Sequence, residues 1–365
     1  MKSNNIKSKF SAVILASGLL LATRTDAQVN LYMSGAASVK DVIYNTIIGY
    51  YGANLVSKNV DNASKPQNSN KLTMTGQMTG IFGSQTVNVF INYSGSGPAI
   101  QSLTQSTPVS FFSSATQGVT NLLSSPVDIG FSIVYQSDYP YPTPILNDTI
   151  YAATPTLFIK SPQAPAALTN FTSQMLRLIT ANGSAPQSIF TGNSNDTSII
   201  YWIMRDIGAA TRIISAKEAG YLGTQLAYAY NTNTATWVLD TVGQPTWPLI
   251  INMLTNNYGP CMSFITPPDG GSIASGNFLR FNGFLPFNGT FSTVTNDYSP
   301  VINGQYTCWG YEHIMTQPNP PANVATFAAK LNADMQVNVQ TSAYSIPIGR
   351  MLVGRTATGG VVTPQ

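Results

Sequence analysis

Val29-Asn30-Leu31-Tyr32-Met33-Ser34-Gly35-Ala36-Ala37-Ser38 is the stretch whose reading decides the fold. It opens with apolar and polar residues in alternation, the two-residue period of a strand. Ser34 to Ser38 are all small, the composition of a tight turn. Val39, Val42, Ile43, Thr46, Ile47 and Tyr50 then recur at helical spacing. Ser38 is placed to cap that helix. The segment reads strand, small-residue loop, helix.

The same order returns downstream. Residues 72–78 and 87–93 read as strands, and the second runs into Ser94-Gly95-Ser96-Gly97-Pro98. Pro98 suits a first helical turn, so a second strand, loop and helix follow. Residues 127–134 form a third strong strand. Residues 150–159 form a fourth, which Pro155 makes either an edge strand or two short pieces. Helices are expected over 166–180, stopping at Asn182-Gly183, over about 208–230, where Gly220 and Gly223 weaken or break it, and over 322–335. Strands alternating with helices imply an α/β fold. The chain length favours two α/β lobes over one.

Upstream, Lys2, Lys7 and Lys9 precede an apolar run from Phe10 to Ala22, and small residues lead to Gln28. Residues 1–27 read as a cleavable secretory signal, with an uncleaved anchor as the alternative. Charge is sparse, at 8% of residues against roughly 25% in an average globular protein. The net charge of +3 belongs to the leader. Lys2, Lys7, Lys9, Arg24 and Asp26 lie in it, so the remainder has equal numbers of basic and acidic residues. No basic field for nucleic acid and no polybasic membrane patch remain. No later segment is long and apolar enough to span a membrane. The expectation is a periplasmic or secreted monomer without cofactor or metal. Cys261 and Cys308 are expected to pair in an oxidising compartment, with two buried thiols as the alternative. Two cysteines and one histidine do not make a zinc site.

Three places put small residues where a helix starts: Gly35 to Ser38, Ser94 to Gly97, and Gly208 to Thr211. Helix N-termini present unpaired N–H groups and a positive dipole end. Several such ends in one cleft bind an anion without net charge. Hydroxyls of Ser38, Ser94, Ser96 and Thr211 add donors, and Arg205 adds a charged clamp. Taken singly, each is an ordinary capped turn.

In order and spacing these motifs resemble the phosphate-binding proteins of ABC phosphate transporters and their wider substrate-binding superfamily. Leu31 to Ser38 is similar to the family's first strand and anion loop, and Asn92 to Gly97 to its second loop. Val127-Asp128-Ile129-Gly130-Phe131-Ser132 resembles its hydrophobic-Asp-hydrophobic-Gly-small-Ser strand, and Gly304 to Glu312 its return strand. Arg205-Asp206-Ile207-Gly208-Ala209-Ala210-Thr211-Arg212 is similar to its Arg followed by Ser-Gly-Thr. The resemblance implies a ligand cleft between the two lobes, 28–152 plus 306–365 as one and 153–305 as the other, with hinge closure on a small inorganic, phosphate-like oxyanion and an ABC permease as partner. It assigns backbone or hydroxyl donors to Ala37, Ser38, Ser94, Ser96, Gly97, Ser132, Ala210 and Thr211, and the charge to Arg205. Two departures stand out. Ala209-Ala210 replace Ser-Gly, and Ile133 stands where the family has the Asp that accepts the proton of hydrogen phosphate. Donors alone suit a fully ionised oxyanion such as sulfate.

A hydrolase is disfavoured, because His313 is the single histidine and no G-x-S-x-G turn exists. The rival from another class is a secreted surface protein that keeps the fold and binds no small ion.

Overall fold

Val29–Gly35 (β1) is central to an eight-stranded sheet in the computed structural model, which describes residues 28–365. The leader expected at 1–27 lies outside the described residues. Further strands of this sheet are Leu55–Val60 (β2), Lys71–Gln77 (β3), Thr86–Asn92 (β4), Ile129–Ser132 (β5) and Asn147–Pro155 (β6). The sheet is mixed. Its parallel pairs join β1 to β4 and to β5, and antiparallel strands flank these three.

The alternation in β1 has a direct consequence. Leu31 and Met33 are fully buried on one face, in register with Val89 and Ile91 of β4. Tyr32 turns to the other face and stacks on Phe90 at 4.8 Å. Helix Lys40–Tyr51 (α1) covers the first face with Val42, Ile43 and Ile47. Helix Ala322–Asn338 lies beside it and presents the stripe Val324, Phe327, Leu331 and Met335. Each of these buried side chains contributes roughly 1.5–3 kcal/mol of transfer free energy. Helix Ser96–Gln105 (α2) packs on the opposite face through Ile100 and Leu103.

The second lobe has its own four-stranded sheet. Its strands are Leu157–Lys160 (β7), Ser184–Pro186 (β8), Ile199–Trp202 (β9) and Cys261–Ile265 (β10). Phe158, Phe171, Trp202, Phe264 and Phe281 fill its core. This apolar cluster runs on without a break into the first lobe, where it includes Phe90, Ile100 and Ile133. The architecture is α/β and two-lobed.

The stretch 150–159 is two pieces in two sheets. β6 ends at Pro155 in the large sheet, and β7 starts at Leu157 in the small one. Thr156 is the crossing point. Its N–H donates to the Cys308 carbonyl (2.9 Å), so the outgoing and returning chains cross side by side. The return enters Trp309–Thr316 (β11), which pairs with β5 and β6.

Several expectations are corrected. The helix expected over 166–180 begins only at Ser173, because Asn170–Phe171 pairs as a short strand and Thr172 caps the helix through Met175 N–H (3.3 Å). Its end at Asn182, with Gly183 left-handed at φ 71°, is as read. The helix expected over 208–230 is Ala210–Glu218 (α3), which stops before a left-handed Gly220; Ala227–Asn231 is a strand. Cys261 and Cys308 are free and buried, so the expected bridge is not formed. Cys261 is bonded beside Ser161, and Cys308 beside Thr156. Roughly 16 Å of strand, at about 3.3 Å per residue, separates those two positions, against a Cα separation of at most about 7 Å for a disulfide.

Candidate functional site

The loops that follow the three parallel strands all open at one end of the large sheet. The strand order reverses there, which is where open α/β sheets hold ligands. Gly35 leaves β1 at φ 153° and so close to the next strand that a Cβ would stand 2.2 Å from the Phe131 carbonyl oxygen. Ala36 N–H donates to that same oxygen (3.0 Å). This tight seating turns Ala37 and Ser38 toward the cleft. Gly95, at φ 110°, turns the second loop and donates its N–H to the Gly35 carbonyl (2.9 Å). Facing them from the second lobe is the N-terminus of α3.

The capping expectation for Ser38 fails in an informative way. None of the helical segments starting at Ala37, Ser96 and Ala210 has a side-chain cap. The residues before them, Ala36, Gly95 and Ala209, have no side chain able to cap. The first N–H groups of each are therefore left without a side-chain cap. Ser38 is 1% and Thr211 3% exposed, and neither hydroxyl has a hydrogen-bond partner among the described residues. An unpartnered buried hydroxyl costs about 1–3 kcal/mol.

These groups line one cavity of about 50 Å³, together with Ser96, Ile133, Arg205 and Trp247. A single water needs about 10–15 Å³ on that measure, so the space fits a small ion. No carboxylate lines it. Arg205 donates from Nε to the Gln244 carbonyl (3.1 Å) and from Nη2 to Asp206 Oδ1 (3.0 Å) and the Pro245 carbonyl (3.1 Å). Nη1 has no protein partner among the described residues. The guanidinium lies 4.7 Å over the Trp247 ring, which adds a cation–π contact. Arg212 does not line the cavity. It is buried, and its Nη1 donates to the carbonyls of Arg205 and Val242 (2.9 Å each), so it positions the loop that carries Arg205.

Of the residues read from sequence, Ala37, Ser38, Ser96, Arg205, Ala210 and Thr211 meet at this cavity. Ser94 does not; it lines an adjoining space and shares a hydrogen bond with Ser34 Oγ (2.8 Å). Gly97 lies behind the site, where a Cβ would stand 2.9 Å from the Gly208 carbonyl oxygen and 2.9 Å from the Tyr139 ring. Ser132 Oγ donates to the Val134 carbonyl (2.7 Å) and accepts from Val134 N–H (3.1 Å), a local turn that uses its hydroxyl. Tyr93, Trp247 and Thr266 line the cavity and were missed. Trp247 and Thr266 come from segments with no strand–loop–helix signal. Tyr93 was read as the end of a strand and as part of the second loop, without a role of its own in the site.

The lobes touch beside the cavity. Tyr139 hydroxyl donates to the Gly208 carbonyl (3.0 Å), Lys217 pairs with Asp138, and Arg355 pairs with Glu218. His313 Nδ1 lies 2.9 Å from Asp148 Oδ1, and no serine hydroxyl reaches its buried Nε2. Among the described residues no cluster of three metal-binding side chains occurs, and no helix is long and apolar enough to cross a membrane.

The fold resembles that of solved structures. An ABC-type phosphate transport receptor from Vibrio cholerae superposes with a TM-score of 0.50 at 14% identity, covering 87% of this chain and 100% of its own. A phosphate ABC transporter substrate-binding protein with bound phosphate from Clostridium perfringens gives 0.49 at 12% identity, covering 87% and 99%. The fold is that of the two-lobed periplasmic binding proteins. No family model matches the chain, and no curated protein matches it.

Proposed function

We propose that this protein is an exported solute receptor that closes its two lobes on one small, fully ionised oxyanion and presents it, as a monomer, to an ABC permease. One observation carries the reading. Ser38 Oγ from the first lobe and Thr211 Oγ1 from the second are buried without partners on the same cavity as Arg205. An oxyanion accepting from both removes their desolvation cost and meets the charge of Arg205, whose Nη2 is held by Asp206 and whose Nη1 has no partner among the described residues, in a cavity that no carboxylate lines. The uncapped helix starts add backbone donors and favourable dipole ends. The Vibrio cholerae protein of the same fold is described as a phosphate transport receptor, which supports the reading.

Ile133 refines it. It is 2% exposed and lines the cavity, at the position where the family resemblance puts an acceptor for a ligand proton. A site of donors and alkyl carbon disfavours an anion that carries a hydroxyl. Calorimetry on residues 28–365 against sulfate, phosphate, molybdate and arsenate tests the reading. Binding of at least one anion, weakened about a hundredfold or more by Arg205→Ala, is expected. A folded sample silent toward all four would refute it and leave the surface-protein reading.

A further inference from the structure

The cavity is not closed on its outer side. It adjoins a much larger space of about 500 Å³, and Ala37, Tyr93, Arg205 and Trp247 line both. That volume lies within the roughly 300–1,000 Å³ of small-molecule sites. Both lobes build its wall, with Asn70 and Asp41 from the first and Asp269 and Trp247 from the second.

The chemistry of the two spaces differs. The inner one is lined by hydroxyls, one arginine and apolar groups, with no carboxylate. The outer one mixes carboxylates, amides and aromatic rings. Asp41 Oδ1 is buried there without a hydrogen-bond partner, and burial raises the pKa of its carboxyl. Asp269 takes a hydrogen bond from Thr266 Oγ1 at Oδ2 (2.8 Å), and Oδ1 has no partner among the described residues. Asn70 turns its carbonyl to Lys40 Nζ (2.6 Å), which leaves its amide N–H groups to donate outward. Carboxylate acceptors and amide donors over a Trp face match the alternating donors, acceptors and C–H surfaces of a polyol or sugar.

We infer that the oxyanion is the head of a phosphate monoester, whose hydroxylated organic group fills the outer space between Asp41, Asn70, Asp269 and Trp247. The inference rests on the anion-receptor reading and names its ligand class. Ile133 agrees with it. A phosphate monoester loses its last proton near about pH 6, so at neutral pH its head is mostly ionised and brings only acceptors to the donors.

The test is calorimetry on residues 28–365 at pH 7.5 with glycerol 1-phosphate, glucose 6-phosphate, inorganic phosphate and sulfate. The expected result is that an ester binds at least about tenfold more tightly than either inorganic anion, the gain of one or two added polar contacts. Asn70→Ala and Asp41→Asn should each weaken the ester about tenfold and leave the affinity for inorganic anions unchanged, since neither residue lines the inner cavity. Inorganic phosphate or sulfate binding as tightly as every ester would overturn the inference and leave the anion-receptor reading intact. No binding by any of the four would overturn the inference, and silence toward molybdate and arsenate as well would overturn the anion-receptor reading. Retained inorganic-anion affinity in a variant shows that it is folded.

Discussion

The inner cavity and the outer space share a wall and are built by opposite rules. The inner one, about 50 Å³, holds unpartnered donors, one arginine and no acid. The outer one, about 500 Å³, holds Lys40 and Arg205 together with Asp41 and Asp269. Charge is thus concentrated where few side chains fit and balanced where many do. On the proposed reading, selection by charge belongs to the first region, and selection by size and hydroxyl pattern to the second.

The largest expected effect is the loss of the inner charge. Arg205→Ala should cost about a hundredfold or more in affinity for every ligand that binds, because it removes a charged donor from a buried site. Arg212→Ala should approach that loss indirectly by releasing the Arg205 loop, and a crystal structure of the variant would show Arg205 displaced. The inner hydroxyls come next. Ser38→Ala and Thr211→Val should each weaken binding about tenfold, as befits one hydrogen bond to a charged group. Ser132→Ala should change affinity little, since its hydroxyl serves the local turn at Val134. Equal losses from all three serines and threonines would break the distinction between inner donors and structural hydroxyls.

Closure gives a smaller effect. In Gly97→Ala the new Cβ meets the Gly208 carbonyl oxygen and the Tyr139 ring, each at 2.9 Å. The lobes then sit further apart, and scattering on the liganded variant should show a wider molecule with weaker binding. A separate effect, on stability rather than affinity, lies at the fully buried Glu312, where burial pushes the carboxyl up to about 8, with the Asp41 charge contributing. The folded chain therefore keeps a proton that the unfolded chain gives up near an ordinary pKa of about 4.3. Stability from this group is full below that value and falls as pH rises toward 8. Glu312→Gln should flatten the decline of Tm over that window. An unchanged slope would show that Glu312 is not the titrating group.

The fold was legible where local period and tertiary role agree. β1, β4 and α1 follow from alternation and helical spacing, because one face of each is buried in the same core. It was illegible where a loop competes with a helix. The polar, glycine-bearing run after Glu218 carries helical apolar spacing, yet Gly220 at φ 60° turns it away and Ala227 begins a strand. The site divides in the same way. Small residues before a helix mark Ser38, Ser96 and Thr211. Trp247 and Thr266 reach the cavity only because the second sheet brings β10 and the helix Trp247–Thr255 beside α3, which no local pattern records. Cys261 and Cys308 fail for a related reason, since sequence shows two cysteines but not the length of strand between them.

The most direct measurement is a crystal structure of residues 28–365 grown with a saturating oxyanion that calorimetry has shown to bind. The account predicts tetrahedral density in the inner cavity, within hydrogen-bond reach of Ser38 Oγ, Thr211 Oγ1 and Arg205 Nη1. Density for the anion elsewhere, with those two hydroxyls still unpartnered, would contradict it.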